Sequence, residues 1–91
     1  MSTRPLICRG NGLELNLATS AAGSVRVEIE DPAGKPVPGF ELAHCREIYG
    51  DQPARLVRWG DRADVAQCVG KAVRLRFVLR DADLFSFRFA P

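Results

Sequence analysis

The chain's one histidine, His44, directly precedes Cys45, and an imidazole beside a thiol is a pair from which a general base and its nucleophile can be built. Adjacent side chains on an extended backbone point to opposite faces, so this imidazole and this thiol would diverge. The sequence therefore favours a surface histidine next to a buried thiol. It predicts no catalytic residue at this position.

Carboxylates occur in two closely spaced pairs, and glycoside hydrolysis needs two carboxyl groups at a set separation. Glu28 and Glu30 lie on the predicted solvent face of an amphipathic strand, where arginines of a neighbouring strand are the common partners. Asp81 and Asp83 lie in a predicted turn, where aspartate accepts backbone hydrogen bonds, and we favour that role over calcium binding. Neither pair predicts an enzyme.

The three cysteines, Cys8, Cys45 and Cys68, are an odd number, so at least one thiol is unpaired or pairs between chains. The chain has no Cys-x-x-Cys pair and a single histidine, so the ligand spacing of a structural zinc site is absent. We expect at least two of the thiols to be small buried hydrophobic groups. No metal and no cofactor is predicted.

Exposed aromatic rings matter because a β-sandwich binds sugars mainly by stacking them on such rings. Trp59 and Tyr49 are the rings that carry a polar group, and each lies near a predicted loop, so both are candidate ligand-binding residues. The alternation of Trp59 with Val57 favours a core position for the indole over a sugar platform.

The elements that would position these residues follow a period of two, which is typical of strands with one wet face. Turn residues at Asp31–Gly34 predict a chain reversal, and Pro36–Phe40 is predicted to be a loop or a sheet edge. Residues 41–51 are predicted to be irregular with a short strand, and Asp61 or Asp64 is predicted to cap one helical turn. The predicted strands are Leu13–Leu17, Val25–Ile29, Arg55–Trp59, Val73–Arg80 and Leu84–Phe89.

The last two strands are predicted to form a hairpin around a loop at Asp81–Asp83. Their apolar residues would then be buried together: Val73, Leu75, Phe77, Leu79, Phe85, Phe87 and Phe89. This hairpin would place Arg76 opposite Arg88, which requires either carboxylates from a neighbouring strand or an anionic ligand between them. We favour the carboxylates, with Glu14, Glu28 and Glu30 as candidates, and keep both arginines as candidate ligand-binding residues.

With 91 residues, 46% of them hydrophobic and 26% charged, the chain is predicted to be one folded domain spanning residues 1–91. Its 13 basic and 11 acidic residues alternate along the sequence, which argues against nucleic-acid binding. It contains no apolar stretch long enough for a signal peptide or a membrane helix, so no membrane role is expected. The predicted fold class is all-β, an antiparallel, jelly-roll-like β-sandwich with little or no helix.

Several segments together resemble the C-terminal accessory β-sandwich of large bacterial proteins that are related to glycoside hydrolases and begin with a β-propeller. The resemblance is carried by residues 20–29, 31–40 and 70–89, and by Cys45, Tyr49-Gly50-Asp51, Trp59 and Asp64-Val65. The chain differs from that pattern at His44 and Arg46, where acidic residues are expected. The resemblance implies a non-catalytic accessory role outside a hydrolase's catalytic centre, carbohydrate as a ligand, and an extracellular or periplasmic location.

Two functional hypotheses follow from the sequence. The first is a non-catalytic accessory module that binds carbohydrate. The alternative is a structural or protein-interaction domain that uses a sheet face or edge to hold a neighbouring catalytic domain or a second copy of itself. A small enzyme ranks third. An exposed ring in a polar groove would favour sugar, and a flat apolar or charge-complementary surface would favour protein.

Overall fold

The computed structural model of the protein describes residues 2–91, which form one antiparallel sheet. Its strands are β1 (Leu6–Ile7), β2 (Gly12–Glu30), β3 (Gln52–Leu56) and β4 (Ala72–Ala90), in the spatial order β1-β4-β2-β3. The helical segments among the described residues are two single 3₁₀ turns, Leu42–His44 and Ala66–Cys68. The prediction of an all-β protein is confirmed.

β2 joins the first two predicted strands into one continuous strand of 19 residues. The alternation on both sides of residues 20–23 holds, because the apolar residues of both halves are buried: Leu13, Leu15, Leu17, Val25, Val27 and Ile29. Between the halves β2 bulges, since Thr19 pairs with Ala82 and Ser24 with Arg80, so that residues 20–23 lie opposite Asp81 alone.

The predicted hairpin at Asp81–Asp83 is wrong. β4 runs through these residues without reversing and pairs antiparallel with β2 along both halves. Asp81 has a φ of 46°, and aspartate is among the few residues that adopt this left-handed region readily. A single such residue, set against the bulge of β2, bends the strand and does not turn it back.

The prediction that Arg76 and Arg88 lie opposite each other on paired strands is therefore also wrong. Arg76 pairs with Glu28 in one half of the sheet, and Arg88 pairs with Glu14 in the other half. The prediction that glutamates of a neighbouring strand accompany these arginines is confirmed. It is the pairing of β4 with β2 that puts each arginine beside its glutamate.

The two halves of the bent sheet share one core. Phe77 pairs with Val27 and Phe87 pairs with Leu15, yet their rings contact each other with centroids 5.3 Å apart. The sheet is thus folded across the bulge, so that its apolar face closes on itself.

The predicted cluster of β4 residues is confirmed in part. Val73, Leu75 and Phe77 are buried, and Phe87 and Phe89 are partly buried against the same core. The prediction is wrong for Leu79 and Phe85, since both are exposed.

A second bulge explains the position of Phe85. Asn16 pairs with Ser86 while Leu17 pairs with Leu84, so Phe85 is an extra residue without a partner in β2. The extra residue turns outward, and 64% of Phe85 is exposed. Leu79 is 37% exposed and lies two residues before the bend at Asp81.

The turn and the loop that follow β2 lie where they are predicted. The Asp31 carboxylate accepts hydrogen bonds from the backbone N–H groups of Ala33 and Lys35, which closes the predicted turn. Residues 36–40 then lie along the edge of β2, where Ile29 exchanges backbone hydrogen bonds with Val37 and Phe40. The predicted strand at 55–59 is wrong in its bounds, since β3 covers Gln52–Leu56 and residues 57–59 lie outside it. The predicted helical turn is the 3₁₀ turn Ala66–Cys68, with Asp64 Oδ1 accepting from Ala66 N.

Candidate functional site

Trp59 belongs to the core. Only 3% of the residue is exposed, its Nε1–H donates to the carbonyl oxygen of Val27 at 2.9 Å, and its ring meets Phe40 edge-on with centroids 5.1 Å apart. A sugar cannot stack on a ring whose faces are covered and whose polar group is already bonded. The alternation with Val57 favours a core position for Trp59, and the structure confirms it.

Tyr49 is 65% exposed and lies on the side of β2 away from β4, because Ile48 bridges to Val25 there. The backbone is held by a hydrogen bond from Gly50 N to Thr19 Oγ1. Since Trp59 lies inside the core and Tyr49 outside it, the two candidate rings do not form a shared stacking platform.

Arg76 and Arg88 are each held by a glutamate on the outward face of β2. The distance from Arg76 Nη1 to Glu28 Oε2 is 3.4 Å, and that from Arg88 Nε to Glu14 Oε1 is 2.9 Å. The two arginines lie in different halves of the sheet and do not form a joint site for an anion.

We expect Arg88→Ala to lower the free energy of unfolding by no more than about 1 kcal/mol, because exposed ion pairs contribute little. The arginine side chain is 68% exposed, so solvent screens the pair. Urea denaturation compared with Arg58→Ala, which removes an exposed arginine that forms no ion pair among residues 2–91, measures the contribution of the Glu14 contact. A loss of several kcal/mol for Arg88→Ala alone would contradict this interpretation.

The prediction that Glu28 and Glu30 face solvent is wrong, because both residues are buried, with exposures of 5% and 8%. The 3₁₀ turn at residues 42–44 lies beside them, and Leu42 N donates to Glu28 Oε1 at 3.4 Å. Burial, reinforced by the hydrogen bond and the charge of Glu28, raises the pKa of Glu30, while Arg76 and Arg74 act in the opposite direction. The alternation of polar and apolar residues could not reveal that a later turn covers this end of the outer face.

The raised pKa of Glu30 predicts a pH-dependent stability. The folded state binds the Glu30 proton more tightly than the unfolded state, so its favourable contribution is complete below the unfolded pKa and is lost as pH rises through the folded pKa. Glu30→Gln should therefore raise stability at pH 8 and reduce the decline between pH 4 and pH 8, measured as urea midpoints. Glu47→Gln, at an exposed position, is the control. An unchanged decline in Glu30→Gln would contradict the assignment.

His44 and Cys45 diverge as predicted. The imidazole is exposed, with Nε2 3.8 Å from Glu41 Oε2, whereas the buried Cys45 Sγ accepts a hydrogen bond from Val27 N at 3.3 Å. Within residues 2–91 no group of three histidine, cysteine or acidic side chains is arranged to hold a metal ion. Over the same residues, no helix has the length and apolar character needed to cross a membrane.

The second half of β4 is a free edge of the sheet. β1 and a bridge at Ser2 cover its residues 72–76, but in the described part of the chain nothing pairs with residues 78–90 on the side away from β2. β2, by contrast, is paired on both sides, with β4 and with β3, Ile48 and Pro36. The free edge presents unpaired backbone N–H and C=O groups, which can pair with another strand.

The side chains along this free edge combine apolar and charged groups. Leu79 and Phe85 are 37% and 64% exposed. Arg80, Asp81 and Asp83 are exposed and form no ion pair within residues 2–91. Sequence reasoning missed this surface because the predicted hairpin would have paired the two halves of β4 with each other.

A second surface feature is a shallow groove of about 680 Å³ beside the turn that follows Trp59. Its walls are mostly polar, and they comprise Pro38, Gly39, Trp59, Asp61, Arg62, Asp64 and Gln67. Trp59 lines this groove although only 3% of the residue is exposed.

Neither the family models nor the curated proteins nor the solved structures compared with the chain include a match.

Proposed function

We propose that this protein is a non-catalytic protein-interaction domain that self-associates by pairing the free edge of β4 with the same edge of a second copy. The observation that carries the proposal is the unpaired stretch of residues 78–90 next to an otherwise paired sheet. Backbone pairing at such an edge supplies affinity, and the side chains along it select the partner.

Charge complementarity favours a second copy of the chain as the partner of the free edge. In an antiparallel pair related by a two-fold axis, the register that places Arg80 opposite Asp83 of the second copy also places Asp83 opposite the second Arg80. The same register sets Leu79 opposite Leu84 and Phe85 opposite Val78. Arg80 and Asp83 thereby each gain a partner of opposite sign, and the exposed Phe85 gains an apolar one, while Asp81 lies opposite Ala82.

The fold within which this edge lies is proposed to be sandwich-like. The ring contact between Phe77 and Phe87, which belong to opposite halves of β4, supports an arrangement of two layers formed by one folded sheet. In such an arrangement β4 passes from one layer to the other at Asp81. The free edge would then run along one side of both layers.

Sedimentation over a wide concentration range tests the proposal. We expect the wild-type protein to shift from monomer to dimer as concentration rises, and Phe85→Lys to remain monomeric. Tyr49→Lys is the matched control, because Tyr49 is 65% exposed but lies on the other side of β2. Reversing either Arg80 or Asp83 alone should weaken the dimer, and the double exchange Arg80→Asp with Asp83→Arg should restore it. A wild-type protein that is monomeric throughout would refute self-association.

A second candidate function is the carbohydrate-binding accessory role that the resemblance implies. The polar groove beside Trp59 favours it, because carboxylate, amide and guanidinium groups are the hydrogen-bonding partners of sugar hydroxyls. A glycan array with the wild-type protein and with Gln67→Ala separates the two candidates. Binding of the wild-type protein to a glycan that is lost in the variant would support the carbohydrate role. No binding of the wild-type protein to any glycan on the array would contradict it.

A further inference from the structure

Cys8 and Cys68 are brought together by the segment that precedes β4. Cys8 exchanges backbone hydrogen bonds with this segment, since Cys8 N donates to Lys71 O at 3.0 Å and Gly70 N donates to Cys8 O at 2.9 Å. Lys71 N in turn donates to Cys68 O at 3.0 Å, which closes a tight turn from residue 68 to residue 71. Cys68 therefore begins the turn whose last residue lies beside Cys8.

Both residues belong to the hydrophobic core cluster. Cys8 and Cys68 are each 1% exposed. Cys8 Sγ lies 3.9 Å from the carbonyl oxygen of Val65, and the same oxygen accepts the hydrogen bond of Cys68 N at 2.9 Å. One carbonyl group thus contacts both cysteines, although 59 residues separate them in the intervening chain.

We propose that Cys8 and Cys68 form an intramolecular disulfide when the protein meets a disulfide oxidant such as oxidised glutathione. The backbone hydrogen bonds of Cys8 with residues 70 and 71 and the shared contact with Val65 O make the two cysteines neighbours, and a disulfide joins only residues that lie close together. The bond would fasten the N-terminal segment, which covers residues 72–76 of β4, to the turn that leads into that strand. It would thereby fix where the free edge begins.

The reaction is a thiol–disulfide exchange in two steps. Because Cys68 is 1% exposed, the turn of residues 68–71 must first open locally. The Cys68 thiolate then attacks one sulfur of oxidised glutathione, which releases one glutathione thiolate and leaves a mixed disulfide. The Cys8 thiolate then attacks the Cys68 sulfur and releases the second glutathione thiolate. The two protons lost by the cysteines are taken up by the two glutathione thiolates, so two protein thiols and one disulfide yield one protein disulfide and two thiols.

Cys45 is the internal control. It is also a buried free cysteine, but its Sγ accepts a hydrogen bond from Val27 N on the opposite side of β2 from β4.

Burial and the neighbouring Cys68 raise the pKa of the Cys8 thiol to about 11, and burial raises the pKa of Cys68. The exchange should therefore be slow at neutral pH and should accelerate towards pH 9, because the thiolate is the attacking species.

Peptide mapping of the wild-type protein after a day with oxidised glutathione at pH 9 tests the proposal. Trypsin places the three cysteines in separate peptides, residues 1–9, 27–46 and 63–71, because the Arg4–Pro5 and Lys35–Pro36 bonds resist cleavage. We expect peptides 1–9 and 63–71 to be joined and Cys45 to remain a free thiol. The melting temperature should rise on oxidation and fall back with reductant, since a long closed loop restricts the unfolded chain.

Two variants complete the test. Cys45→Ala should still form the linked peptides, and Cys8→Ala should yield Cys68 as a free thiol or as its glutathione adduct. Three free thiols in the treated wild-type protein, a link to Cys45, or a link between two chains would each overturn the proposal. These three outcomes are read from the wild-type protein, so none of them depends on a variant that folds.

Discussion

Phe77→Ala is expected to lower the free energy of unfolding by about 3–5 kcal/mol, the usual cost of removing a fully buried phenylalanine ring. The residue is 1% exposed and lies where the two halves of the folded sheet meet, with its ring centroid 5.3 Å from that of Phe87. Its loss leaves a cavity lined from both halves, which neither half can fill without shifting its strands. Urea denaturation monitored by circular dichroism measures the change.

Phe85→Ala is the matched control for this experiment. It makes the same chemical change on the same strand, but Phe85 is the bulged residue and 64% of it is exposed. We expect the free energy of unfolding of this variant to lie within about 0.5 kcal/mol of the wild-type value, when both proteins are measured at concentrations below those at which they associate. Similar losses for the two variants would contradict the assignment of Phe85 to the outside and of Phe77 to the core.

The alternation of apolar residues is sufficient to predict the strands and most of the core. Leu13, Leu15 and Leu17 alternate with polar residues as clearly as Val25, Val27 and Ile29 do, and all six are buried. A period of two specifies which residues share a face, but it does not specify which strand lies beside which.

The pairing of the long strands could not be predicted from local signals. Asp81-Ala82-Asp83 has the composition of a turn, and a hairpin pairs residues that are close in sequence. The observed alternative pairs β4 with β2 over both halves, and this long-range pairing covers more backbone groups than a hairpin of six or seven residues would. The extra residue at Phe85 carries no local signal either, since phenylalanine is a common strand residue.

The candidate site depends on that pairing. The predicted hairpin pairs residues 84–89 with the preceding half of β4. A sequence interpretation that contains this hairpin therefore predicts no free edge at these residues. Trp59 could be placed correctly from its alternation with Val57. Glutamate partners for Arg76 and Arg88 could also be predicted, although the hairpin from which they are inferred is wrong. Arg80 and Asp83, two of the charged residues of the free edge, lie beside and within the predicted turn, where their charges suggest only a solvated loop.

Gly23→Ala is expected to lower the free energy of unfolding by roughly 3 kcal/mol, because the added carbon has no space. A Cβ atom at this position would lie 2.3 Å from the carbonyl oxygen of Asp81 and 2.7 Å from that of Arg80. Both neighbours are backbone atoms of β4, so relief requires the strands to separate at the bulge. Urea denaturation again provides the measurement.

Gly34→Ala separates this steric effect from the ordinary cost of replacing a glycine. Gly34 has a φ of +91°, but a Cβ atom added there would have no neighbouring atom within 4 Å, so the substitution should cost about 1 kcal/mol through backbone strain alone. If Gly23→Ala cost no more than Gly34→Ala, the bulge would have room for a side chain. Because the contact of Gly23 with residues 80 and 81 sets the bend of β4, Gly23→Ala should also weaken the dimer at protein concentrations where the variant is still folded. A variant that is folded and fully dimeric would show that the bend does not shape the edge through which the copies pair.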